Sequence, residues 1–249
     1  MKVIITDLDR TLLHTDKTIS DYTIQIMQEC RKQGIFLMAA TARPVRAIKQ
    51  YMRAVHFNAV TTLNGARTIL MDRSVDYSID KKTALSLIES LMAVNDIVIS
   101  LETDEGIISN IDIPEWNPTV YENLLTAPIP DTIYKMIISS EGTNLDTIIP
   151  ALVTDDVYYS VADGKLYQIM SSQATKWNGI KCMLEEFGLS VEDAIYFGDD
   201  NDDIEPLMKC GTGVAVANSI PAAIEAADTV TLSNDEDGVA EYVKKLLEL

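Results

Sequence analysis

The chain has 249 residues, 47% of them hydrophobic and 23% charged, with a formal net charge of −18. That length permits one large domain or two modest ones, and the charge argues against nucleic acid, whose backbone is held by a surplus of Lys and Arg. No apolar run approaches the ~18 residues of a membrane span, the opening MKVIITDLDR lacks a signal-peptide layout, and Cys30, Cys182 and Cys210 form no paired framework, so a cytoplasmic protein is expected.

Val3-Ile4-Ile5 is a short apolar run ending at Thr6-Asp7, the pattern of a buried parallel strand. Ser20 can cap a helix with Ile24, Met27 and Cys30 on one face, closed by Gly34. Residues 35–40 read as a second strand, Pro44 opens a helix, and residues 59–63 give a third strand before the turn Asn64-Gly65. The alternation resumes with a helix over 176–187 that Gly188 ends. Strands over 194–197, 213–216 and 229–232 follow, with a helix over 221–227 and an amphipathic tail from Gly238. Such alternation predicts α/β architecture, a Rossmann-like doubly wound parallel sheet.

The middle reads differently. Residues 97–101 and 107–111 flank an acidic turn, and 157–161 and 166–170 flank Asp163-Gly164, two hairpin signals. With helical stretches near 81–94 and 144–152, they predict an antiparallel sheet with helices on one side. The expected organisation is a core of residues 1–79 and 171–249 with an inserted α+β domain over 80–170.

In an open α/β sheet, ligands bind outside the carboxyl ends of the strands. The residues there are Asp7-Leu8-Asp9, Thr41-Ala42-Arg43, Asn64-Gly65 and Gly198-Asp199 through Asp203. Asp7 and Asp9 share one face of an extended backbone, and two close carboxylates repel unless a proton or a divalent cation compensates. Asp199 can supply a third oxygen, and such a set suits Mg²⁺, which takes one or two carboxylates, waters and substrate phosphate oxygens. Read singly, each aspartate also fits a turn or a helix cap. Thr41 fits either a phosphate donor or a cap ahead of Pro44. Lys176 lies near a helix N-terminus, where the macrodipole disfavours a cation. His14 and His56 form no cluster, and residues 234–238 read as a solvated acidic loop.

The run Asp7-Leu8-Asp9-Arg10-Thr11 resembles the first motif, DxDxT, of the haloacid dehalogenase superfamily. Thr41 matches its second motif, Lys176 its third, and Gly198-Asp199 through Asp203 its fourth, GDxxxD. Residues 213–219 and 228–239 are similar to the tail of the Cof-type sugar-phosphate phosphatases, and 80–170 occupies the place of that subgroup's α+β cap. The resemblance implies Mg²⁺-dependent hydrolysis of a small phosphorylated metabolite through an aspartyl-phosphate. Asp7 would be the nucleophile and Asp9 the acid and base. Asp7, Asp9 through its backbone carbonyl, and Asp199 would hold the metal, with Asp203 ordering the metal shell or Lys176. Thr41, Arg43 and Lys176 would bind the phosphoryl group and substrate. A phosphosugar mutase and a non-catalytic phosphosugar-binding regulator are the alternatives. Arg10 replaces the usual glycine of the first motif and is expected to reach toward the cap. Asp202 stands where the subgroup has Asn, and is expected to point outward as a helix cap.

Overall fold

The computed structural model describes residues 2–162 and 164–248, so the Asp163 half of the expected 163–164 turn lies outside the described residues. In chain order the elements are β1 (Val3–Thr6), α1 (Asp21–Lys32), β2 (Phe36–Ala40), α2 (Val45–Val55), β3 (Ala59–Thr62), β4 (Arg67–Ile69), β5 (Ser74–Asp76), α3 (Lys81–Met92), β6 (Ile97–Thr103), β7 (Ile107–Ser109) and β8 (Thr119–Val120). They continue with β9 (Ile133–Ser140), α4 (Ile148–Leu152), β10 (Val157–Ala162), β11 (Leu166–Ser171), α5 (Lys176–Glu186), β12 (Ala194–Gly198), α6 (Ile204–Lys209), β13 (Thr212–Ala215), α7 (Pro221–Ala226), β14 (Thr229–Val230) and α8 (Gly238–Leu247). The chain divides into two units: one runs to Val75 and resumes at Thr175, the other is Asp76–Ala174. No helix among the described residues is long and apolar enough to cross a membrane.

The first unit carries an eight-stranded sheet in the order β14-β13-β12-β1-β2-β3-β4-β5. Pairing is parallel from β14 through β3, and β4 then runs antiparallel to β3. Side chains alternate across it as the pleat requires. Ile4, Leu37 and Ile195 pack on one face with Met27 and Cys30 of α1, Ile48 of α2 and Val243 of α8. Val3, Ile5, Met38 and Tyr196 pack on the other with Ile180 and Met183 of α5, Leu207 of α6 and Ala223 of α7. This is helix–sheet–helix layering, with β1 central and buried along its whole length. Beyond the expectation, the Asn64-Gly65 turn begins a hairpin, and β4 is its return strand.

The second unit has a sheet in the order β10-β11-β9-β6-β7-β8. Its two expected hairpins, β6–β7 and β10–β11, are both antiparallel, and β9, absent from the expectation, joins them. Ile99, Leu101, Met136 and Ile138 of the sheet pack with Leu87 and Ile88 of α3 and Ile149 of α4.

Three local devices bear on the site. Ser20 caps α1, its hydroxyl accepting from the Thr23 N–H at 2.9 Å. The acidic segment 234–238 is structural rather than merely solvated. Asp237 Oδ1 accepts from the Ser20 and Thr23 hydroxyls at 2.6 and 2.9 Å and lies 3.0 Å from His14 Nε2, while buried Asn234 donates to the Leu13 carbonyl at 3.0 Å. Those bonds tie the segment after the Asp7–Leu13 run to the C-terminal part of the unit. The third device is Gly65, at φ +100°, where an added Cβ would lie 2.0 Å from the Thr175 carbonyl oxygen. Only glycine lets the turn pass so close to the start of α5.

Gly65→Ala combines a disfavoured backbone conformation with a backbone collision, and should cost about 2–3 kcal/mol of unfolding free energy. Urea denaturation checks this; a loss below about 0.5 kcal/mol, within the usual scatter of neutral surface changes, would show that the turn can move away freely.

Candidate active site

Register brings the chemistry to one edge of the sheet. Thr6 is level with Phe197 of β12 and Ala39 of β2, so Asp7, Asp199 and Thr41 each leave the carboxyl end of a neighbouring strand. The Asp7 N–H extends the β1–β12 ladder by donating to the Phe197 carbonyl at 2.9 Å, and the Thr41 N–H donates to Thr61 at 3.0 Å. Asp7 is therefore fixed by backbone as the first residue beyond a buried strand.

Lys176 is the centre of the site. As the first residue of α5, behind the Thr175 cap, it would oppose the helix dipole if exposed. Instead it is only 5% exposed, donating from Nζ to Asp7 Oδ1 at 2.8 Å and to Asp203 Oδ1 at 2.6 Å. Burial works against its charge, but the Asp203 and Asp7 carboxylates outweigh burial and hold it protonated above its ordinary range. Two buried carboxylates on one cation leave negative charge in excess. Burial, joined by the charges of Asp203 and Asp199, accordingly raises Asp7 well above the usual carboxylate range, despite Lys176.

Asp203 is fully buried and saturated with donors. Its Oδ1 accepts from Lys176 and the Tyr196 hydroxyl, and its Oδ2 from the N–H groups of Asp199 at 2.9 Å and Asp200 at 3.1 Å. Gly198 makes room for it, since a Cβ there would stand 2.5 Å from the Asp203 side chain. Asp199 accepts from the Thr11 hydroxyl at 2.7 Å. Burial pushes its carboxyl up to about 6, the Thr11 bond opposing and the Asp203 charge assisting.

Oxygens of Asp7, Asp199 and Asp203 all lie within 4.8 Å of one another, and all three residues are buried, a group that could hold a metal ion. An all-carboxylate donor set, short of positive charge, fits a hard divalent cation such as Mg²⁺. The four donors on Asp203 already occupy the roughly four lone-pair sites of a carboxylate, which makes Asp7 and Asp199 the available ligands.

Asp9 stands apart from that trio. Its carboxylate is held by Arg43, with Nε on Oδ2 and Nη2 on Oδ1 at 2.7 Å, and by Lys17 Nζ at 2.7 Å. Burial would raise its pKa, but the hydrogen bonds from Arg43 and Lys17 outweigh it and leave Asp9 below the ordinary value. Tyr51 supports both cations: its hydroxyl donates to the Lys17 carbonyl at 2.8 Å, and the Arg43 guanidinium lies 5.5 Å from its ring centroid. Arg43 thus serves Asp9 here.

Thr41, fully buried, does not cap α2; its hydroxyl accepts from the Arg43 N–H at 3.2 Å. The expected cap at Asp202 falls instead to Asp200, whose side chain accepts from the Asn201 N–H at 2.7 Å. Asp202 accepts from the Asn64 side-chain amide, joining the third strand's turn to the fourth motif. Arg10 adopts φ +58°, the region that favours glycine. Its side chain lies along Asn218: Nη2 is 3.4 Å from the Asn218 carbonyl, and the Asn218 amide returns a bond to the Arg10 carbonyl at 2.8 Å. Sequence reasoning missed Lys17 and Tyr196, and gave Thr11, the last residue of the first motif, no role of its own. A readable signal existed for Tyr196, a tyrosine inside the apolar strand AIYFG whose buried hydroxyl must find a partner.

The family model for haloacid dehalogenase-like hydrolases matches residues 4–243. A curated relative, the 5-amino-6-(5-phospho-D-ribitylamino)uracil phosphatase YitU of Bacillus subtilis, is 28% identical over 268 residues, covering 99% of this chain and 98% of its own. Among solved structures, a haloacid dehalogenase-like hydrolase from Bacteroides thetaiotaomicron superposes with TM-score 0.86 at 23% identity over 98% of this chain and 99% of the other. A sugar phosphatase of haloacid dehalogenase subclass IIB gives TM-score 0.82 at 19% identity, covering 100% of each chain. At those identities the two structures show the fold, while the family match spans nearly the whole sequence. By sequence and by fold, the chain belongs to the haloacid dehalogenase-like hydrolases, and its activity is that of a phosphatase.

Proposed function

We propose that the protein hydrolyses a small phosphomonoester, a sugar phosphate or similar metabolite, with Mg²⁺ and through a phosphoryl group carried on Asp7. The observation that carries this reading is Lys176 buried between Asp7 and Asp203, with Asp199 beside them. Asp7 Oδ attacks phosphorus and the P–O bond to the alcohol breaks; Asp9 delivers the proton to the departing oxygen. Asp9 then takes a proton from the water that attacks the phosphoryl-Asp7, releasing orthophosphate. Lys176 and the Thr41 hydroxyl hold the equatorial phosphoryl oxygens. Mg²⁺, held by Asp7, Asp199 and the Asp9 carbonyl, would neutralise phosphoryl charge in a site that otherwise carries more carboxylates than cations.

The two halves of this cycle ask different things of Asp9. As a base it must be anionic, which Arg43 and Lys17 favour. As an acid it must carry a proton, which that pairing opposes, so the acid half requires Asp9 to turn away from Arg43. The phosphoryl-binding residues contain nothing that distinguishes one alcohol from another.

Asp7→Asn should abolish turnover while leaving the melting temperature close to that of the wild type; steady-state assay with p-nitrophenyl phosphate checks it, and a folded variant within about tenfold of wild type would remove Asp7 from the role. Exhaustive EDTA treatment should stop hydrolysis and added Mg²⁺ restore it; an undiminished rate would contradict the metal requirement. Asp202→Asn, which keeps a polar partner for Asn64, should lower kcat/KM less than about fivefold, whereas Asp203→Asn should lower it at least about a hundredfold, roughly 2.7 kcal/mol of transition-state stabilisation. Equal losses in the two variants would mean that the adjacent carboxylates do not divide their work in this way.

A further inference from the structure

We infer that Tyr196 is a positioning residue for phosphoryl transfer: by sharing Asp203 Oδ1 with Lys176, it keeps the lysine within reach of Asp7. The inference rests on the proposed role of Asp7 and Lys176. Tyr196 is fully buried in β12, level with Ile5 of β1 and Gly213 of β13. Its neighbours along the strand are Ala194, Ile195 and Phe197, all apolar and buried. A phenol in such surroundings is costly unless its hydroxyl is bonded, and its bond is to Asp203 Oδ1, the same oxygen that accepts Lys176 Nζ.

That sharing has a physical consequence. Lys176 lies between two carboxylates, 2.8 Å from Asp7 and 2.6 Å from Asp203, so its position is a balance of two attractions. Asp203 Oδ2 is occupied by the Asp199 and Asp200 N–H groups, which leaves Oδ1 to face the ammonium. The Tyr196 hydroxyl delivers a partial positive charge to Oδ1 and offsets part of that pull. Removing it leaves Asp203 with three donors, and the ammonium then supplies more of the missing charge by moving toward Asp203 and away from Asp7. The phosphoryl group carried on Asp7 loses its fixed cation in the same displacement. Phenylalanine in this place would satisfy every packing requirement of the strand, so the hydroxyl serves the charges and not the core.

Tyr196→Phe keeps the ring and removes only the hydroxyl. Its crystal structure should show Lys176 Nζ retained on Asp203 and beyond about 3.5 Å from Asp7 Oδ1, outside hydrogen-bond range. With p-nitrophenyl phosphate, kcat should fall about tenfold, the size expected for one hydrogen bond to a charged group, while KM changes less than about twofold. Tyr196→Leu, which also loses the ring, should show the same fall in kcat with a further drop in Tm. A lysine that stays on Asp7 in Tyr196→Phe overturns the inference whether or not the enzyme is active, because that position is read without turnover. A loss of kcat that tracks Tm across the two variants also overturns it, as the mark of packing alone. Failure of the phosphatase reading is distinct: it would appear as a wild type without activity, whatever the position of the lysine.

Discussion

A single buried ammonium, Lys176, is the constraint on which the rest of the site depends. Its charge is taken out of water at the first turn of α5, and two carboxylates meet it there, Asp7 from β1 and Asp203 from beyond β12. Removing the ammonium from such a buried group typically costs about 3–5 kcal/mol, because the carboxylates are left uncompensated. The three residues are separated by 169 and 27 positions along the chain, so satisfying one lysine requires the parallel sheet to be formed and α5 to be seated. Gly65, Gly179 and Gly198 leave room for this, against Thr175, Thr61 and Asp203 respectively. Fold and site are the same electrostatic problem at this point.

A net charge of −18 looks unsuited to a dianionic substrate, yet surface charges are screened within roughly 8 Å at physiological ionic strength. What matters is the local arrangement, and it is divided. On one side, Asp7, Asp199 and Asp203 outnumber Lys176, and burial drives Asp7 and Asp199 upward; such a place favours a divalent cation. On the other side, Arg43 and Lys17 outnumber Asp9 and hold it ionised. Asp7 and Asp9 are two residues apart, and the environments around them push in opposite directions. For Asp7 to act as a nucleophile and Asp9 as an acid, each shift has to be reversed: that of Asp7 by a bound divalent cation, that of Asp9 by its leaving Arg43.

Much of this was legible in the sequence, for identifiable reasons. The runs Val3–Thr6 and Ala194–Gly198 are each followed at once by an aspartate, and the rule that ligands bind at carboxyl strand ends needs no knowledge of contacts. Lys176 could be singled out because a cation at a helix start is out of place unless partnered. Other features depended on tertiary context. The strand β9 carries no turn signal to announce its pairing between two hairpins. Lys17 reaches Asp9 from a loop whose shape is set by Asp237, more than two hundred residues later. Asp200, not Asp202, became the cap because the choice among adjacent aspartates is made by backbone dihedrals rather than by composition. The segment 234–238 read as solvated because its acidity was visible, whereas its partners Ser20 and Thr23 were not.

Trapping the phosphoryl group tests the central claim most directly. Wild type and Asp9→Asn would be mixed with p-nitrophenyl phosphate and Mg²⁺, quenched in acid during turnover, and digested for mass spectrometry. The account predicts a phosphoryl group on the peptide containing Asp7, attached to Asp7 itself. It also predicts that in Asp9→Asn any phosphoryl group formed persists longer, since Asp9 activates the water that removes it. Turnover without phosphoryl on Asp7 at any quench time, or phosphoryl found on another residue, would contradict the account.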